Sequence, residues 1–122
     1  MSKTVMVIDD SASIRQVVKF TLSTAGYGVI EACDGKDALN KLIGQRINLI
    51  VCDVNMPNMD GISFLKNLKS LPSHKFTPVI MLTTESQEAK KQEGRLAGAR
   101  AWVVKPFKPE QMLEAVSKLI LP

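Results

Sequence analysis

Residues 49–61 read LIVCDVNMPNMDG. Four apolar residues, Leu49 to Cys52, run unbroken into Asp53. A short continuous run of this kind predicts a strand buried on both faces, as in the middle of a parallel sheet. The carboxylate at its end is then either a turn former or a reagent. Asn55 stands two residues on, and Met56-Pro57 and Asp60-Gly61 turn the chain into a new helix.

The same alternation continues on either side. Residues 4–9 form a short apolar run, and 13–26 place apolar residues at 14, 17, 18 and 22 at helical spacing. Ser11 or Ser13 serves as its N-cap, and Gly26 closes it. A strand over 28–32, a turn at Asp34-Gly35 and a helix over 35–44 follow. The third strand spans 47–53. Asp60 caps a helix to about Leu71 with Ile62, Leu65 and Leu68 inward. Strand 77–82, helix 86–99 with a glycine inside it, strand 101–104 and helix 108–121 complete the chain. Five such units predict an α/β fold, a parallel sheet with helices on both faces. No linker or repeat interrupts residues 1–122, so one domain without an effector domain is expected.

The composition is that of an ordinary folded domain, 45% apolar and 23% charged. No apolar stretch approaches membrane-spanning length, and the N-terminus is no secretory signal. A cytoplasmic protein without membrane insertion is expected. Cys33 and Cys52 both lie in apolar contexts and are expected to be buried, reduced thiols. The charge is +4 and uneven: residues 90–108 carry Lys90, Lys91, Arg95, Arg100, Lys105 and Lys108 against Glu93 alone. That is a solvated helix face or a docking surface for an acidic partner. No aromatic-interleaved basic stretch or DNA-binding motif points to nucleic acid.

Polar residues close most of the strands: Asp9-Asp10, Asp53, Thr83-Thr84 and Lys105-Pro106. In a parallel sheet all these ends lie on one edge, where ligands bind. Each residue alone would be a turn former, a cap or a solvated lysine. Together, three carboxylates in one small pocket repel one another unless a cation is present. Hard oxygen donors suit Mg²⁺, and no His/Cys cluster suggests zinc. An Asp beside Mg²⁺, with a lysine and a hydroxyl nearby, can act as a nucleophile toward a phosphoryl group. Thr83 could hydrogen-bond the product, and the main-chain carbonyl of Asn55 can face the same metal.

The segments VIDDS, DVNMPNMDG, MLTTE and WVVKPF, in this order, resemble the signatures of the response-regulator receiver domain. The resemblance covers the whole chain and is strongest to the stand-alone chemotaxis regulators. It implies a flavodoxin-like (βα)5 fold with strand order 2-1-3-4-5. It implies that Asp53 accepts a phosphoryl group from a histidine kinase. Asp10 and Asp53 would hold Mg²⁺ directly, Asp9 through water and Asn55 through its carbonyl. Thr83 is then the switch hydroxyl, and Lys105 pairs with the phosphoryl group before a cis peptide to Pro106. Asn55 and Glu85 stand where the family tunes decay of the phosphoryl group. Trp102 occupies the position of a switch aromatic that is commonly Tyr or Phe, and an indole needs a larger slot. Phosphorylation would reshape the 86–120 face for an output protein, the flagellar motor switch being one such target. Two other readings compete: a metal-dependent phosphatase with an Asp nucleophile, and an adaptor with a vestigial pocket. The phosphatase type usually has a second acid two residues after the nucleophile, where this chain has Asn55.

Overall fold

The computed structural model describes residues 3–84 and 88–121. Glu85, and Ser86 and Gln87 at the expected start of the fourth helix, lie outside the described residues. The elements alternate along the chain: β1 (Thr4–Ile8), α1 (Ala12–Thr24), β2 (Gly28–Ala32), α2 (Gly35–Leu42), β3 (Leu49–Asp53), α3 (Gly61–Lys69), β4 (Val79–Thr83), α4 (Glu88–Ala97), β5 (Ala101–Val104) and α5 (Pro109–Leu119). The five strands form one parallel sheet in the order β2-β1-β3-β4-β5. This is the flavodoxin-like arrangement that the motifs imply.

The period of two along each strand divides the core into two layers. Val5, Val7, Leu49, Val51, Ile80 and Leu82 pack against Val18 and Leu22 of α1 and Met112 and Val116 of α5. The residues between them, Met6, Ile8, Ile50, Cys52, Val79 and Met81, pack under α2 and α3 with Ala38, Leu42, Phe64 and Leu68. Trp102 joins this second layer, because Val103 takes the first. The central strands β3 and β4 are buried at every residue, as the run ending in Asp53 predicts.

Side chains cap the first three helices. Ser11 accepts a hydrogen bond from the Ile14 N–H, Asp34 from Asp37 and Asp60 from Ser63. Each satisfies a donor that the first helical turn leaves unpaired. Gly26, Gly44 and Gly98 take φ of +95°, +71° and +110° just beyond α1, α2 and α4.

Several expectations need correction. Most predicted helices overrun by one to three residues, because the chain leaves the helix before its glycine or proline stop. Pro78 precedes β4 and uses its carbonyl to accept from Ile50. Val17 is 48% exposed, because the buried stripe of α1 runs through Val18, Thr21 and Leu22. Cys52 is buried, but Cys33 is exposed: it stands just past the end of the edge strand β2, outside the packed layers of the sheet.

Candidate active site

β1 and β3 are neighbours at the centre of the sheet, and the chain proceeds from them to opposite edges. Their carboxyl ends therefore flank the crevice of the topological switch point. Asp9 and Asp10 follow β1, and Asp53 ends β3. Asp9 is fully buried, Asp53 is 6% exposed and Asp10 is exposed. Ligand atoms of the three carboxyls lie within 4.8 Å of one another. Lys105 enters from the end of β5, with its N–H held by the Thr83 carbonyl at 2.7 Å. Its Nζ lies 3.0 Å from Asp9 Oδ2 and 3.1 Å from Asp53 Oδ1. The Lys105–Pro106 peptide is cis.

The electrostatics follow from this crowding. Burial, and next the charge of Asp9, raise the pKa of Asp53, and Lys105 offsets only part of the rise. Burial opposes the charge on Lys105, but hydrogen bonds and charges of Asp9 and Asp53 outweigh it, so its pKa is raised. Three carboxyls face one ammonium. The donor set fits a hard divalent cation, which would relieve the excess negative charge. Asp9, Asp10 and Asp53 are the side chains that could hold it.

Comparison with known proteins places this geometry. The family model "Response regulator receiver domain" matches residues 5–117. The chain belongs to the response regulator receiver domain family. It is 40% identical to protein PilG of Pseudomonas aeruginosa over 112 residues, 92% of this chain and 83% of that protein. It is 36% identical over 120 residues to the alkaline phosphatase synthesis transcriptional regulatory protein PhoP of Bacillus subtilis, covering 98% of this chain but 49% of PhoP. Among solved structures, the chemotaxis response regulator CheY4 of Vibrio cholerae superposes with a TM-score of 0.93 at 47% identity, covering 98% of this chain and all of that one. Receiver domains are signalling phosphoacceptors that partner a histidine kinase and an output target.

Within this receiver, the other expected site residues occupy distinct environments. Asn55 is exposed in the loop after β3. Thr83 is 2% exposed at the end of β4, one residue beyond Leu82, the register partner of Asp53. Trp102 is half-buried on β5, on the α3–α4 side of the sheet. Its slot is made by Gly94 of α4, where a Cβ would collide with the indole Cη2 and lie 3.0 Å from Ile62 Cδ1.

Three supporting groups escape a reading of the strand ends alone. Arg15 of α1 donates from Nη1 to the Asp9 carbonyl at 2.6 Å and from Nε to Glu31 Oε1 at 3.2 Å. The Ser11 N–H donates to Asp9 Oδ1 at 2.9 Å, which fixes that carboxylate. Gly61 lies so close to the Asp53 carbonyl that no side chain fits there. For Gly94 a signal did exist, since a glycine inside a helix asks for a packing reason.

Proposed function

We propose that this receiver takes a phosphoryl group on Asp53, with Mg²⁺ held by Asp9, Asp10, Asp53 and the Asn55 carbonyl, and that it signals in a chemotaxis-type pathway. The observation that carries this reading is the Lys105 ammonium bridging Asp9 and Asp53, beside a third carboxylate, at the carboxyl edge of the sheet. A carboxylate oxygen of Asp53 attacks the phosphorus of a kinase phosphohistidine. The phosphorus–nitrogen bond breaks, and the imidazole leaves with the electron pair and takes up a proton. Bound Mg²⁺ supplies charge neutralisation on the transferring oxygens. Lys105, already within hydrogen-bond reach of Asp53, adds its own positive charge there.

The new phosphoryl oxygens are strong acceptors that draw Lys105 and the Thr83 hydroxyl toward them. Trp102 lies against Gly94 on one side and lines a groove of about 610 Å³ between β5 and α5 on the other. Thr83 is the register partner of Val104 on β5, so a change at Thr83 is passed through β5 to the face formed by α4, β5 and α5, within the expected 86–120 face. Exposed Leu96, Val104, Lys90, Arg95 and Arg100 lie on this face, which suits an output protein with apolar and acidic groups. Lys105, just past the end of β5, is committed to the acid pocket. In a chemotaxis-type pathway, the flagellar motor switch is the output partner we propose. Water attacking the phosphorus past exposed Asn55 would end the signal, with the receiver assisting its own dephosphorylation.

Acetyl phosphate with Mg²⁺ tests the reading. One phosphoryl group is expected on the wild type by intact mass and none on Asp53→Asn. Equal labelling of both overturns the assignment. Sustained release of phosphate would favour the phosphatase reading, and no labelling at all the adaptor.

A further inference from the structure

The loop between β3 and α3 carries the Asn55 carbonyl, and its base is closed by the Gly61 N–H to the Val54 carbonyl at 2.8 Å. Its tip is tied to a different element. Asn58 Nδ2 donates to Asp34 Oδ2 at 2.8 Å, and the Gly35 N–H donates to the Met59 carbonyl at 3.3 Å. The fit is tight: a Cβ on Gly35 would lie 2.7 Å from Met59 Cγ and 2.9 Å from its Cβ. Asn58 sits at φ +67°, a left-handed conformation that Asn tolerates better than most side chains.

Asp34 is a firm anchor. It is 7% exposed, and its other oxygen accepts the Asp37 N–H at 2.8 Å as the N-cap of α2. The Asp37 N–H and the Asn58 amide hold its pKa below the usual carboxylate range, so at neutral pH it accepts only. The orientation of the Asn58 amide is thereby determined. Among the described residues, this bond and the Gly35–Met59 bond are the hydrogen bonds that tie the 55–59 loop tip to the start of α2.

We propose that the Asp34–Asn58 clasp makes Asp34 and Asn58 positioning residues for divalent metal: neither touches the cation, but together they hold the loop that presents the Asn55 carbonyl. This rests on the proposed metal site. A ligand held by a preformed loop loses less freedom on binding, and outer partners of metal ligands commonly set affinity.

The test is a Mg²⁺ titration of the full chain followed by backbone amide shifts. Asn58→Gly removes the donor and keeps the positive φ accessible. Asp34→Ser keeps an N-cap on α2 but is too short to reach Asn58. Each is expected to weaken Mg²⁺ binding by about tenfold while the amide spectrum outside the two loops stays unchanged. The double variant should be no weaker than either single one, because both remove the same bond. Wild-type affinity in both variants overturns the clasp, as do losses that multiply. A wild type that binds no Mg²⁺ overturns the metal site itself, and the clasp's role with it.

Discussion

Asp53 is almost fully buried, with Asp9 nearby and the Lys105 ammonium 3.1 Å from its Oδ1. Its raised pKa means that the metal-free fold resists its ionisation, chiefly through burial and then through Asp9. A carboxyl raised on folding contributes stability below its ordinary 3.8 and loses it as pH rises through the raised value. In chelator, Asp53→Asn should therefore be more stable than wild type at neutral pH. The gap should close as pH falls below the ordinary carboxylate range, where both side chains are neutral. Urea midpoints across pH measure this. A less stable variant at neutral pH would show that Lys105 outweighs burial. Lys105 does not lose its ion pair in this variant, because Asp9 remains 3.0 Å away.

Helix α4 accepts an interior glycine although alanine would favour the helix by about 1 kcal/mol. Packing explains the choice, since the indole of Trp102 lies where a Cβ would stand. Gly94→Ala should destabilise the receiver by about 1–3 kcal/mol, the usual cost of overpacking. In a Trp102→Phe background, which lacks the outer ring, the same alanine should be neutral or stabilising. Chemical denaturation of the four proteins gives the coupling directly. Equal costs in both backgrounds would mean that α4 adjusts independently of the ring. The charges on α4 face solvent: Glu88, Lys90, Glu93 and Arg95 are exposed and Lys91 is half-buried.

The acid pocket works against the stability of the fold that creates it, since folding gathers Asp9, Asp10 and Asp53 within 4.8 Å. A cation that binds the folded form alone reverses this. At one hundred times its dissociation constant it adds about 2.7 kcal/mol. Mg²⁺ should raise the calorimetric melting temperature well beyond NaCl at matched ionic strength, and Asp10→Asn should remove much of that increment. The same variant without metal should melt above wild type, because one of three like charges is gone. Identical effects of the two salts would show that screening suffices and no ion is held.

What local sequence determined is the run of elements and the chemistry at their ends. Unbroken apolar runs such as Leu49–Cys52 have one stable placement, the middle of a sheet covered on both faces, and β3 occupies it. Asp9, Asp10, Asp53, Thr83 and Lys105 follow because each directly ends or follows a strand whose direction is shared. Tertiary structure alone decided how far these groups reach one another. Lys105 bonds Asp9 across 96 residues of chain, and Asp34 holds Asn58 across 24. Periodicity tells which side of its own element a residue faces, but not what is packed above it. That is why Val17 and Cys33 proved exposed. It is also why the slot for Trp102 lay in Gly94, a residue of another element whose missing side chain acquires meaning only once α4 is laid against β5.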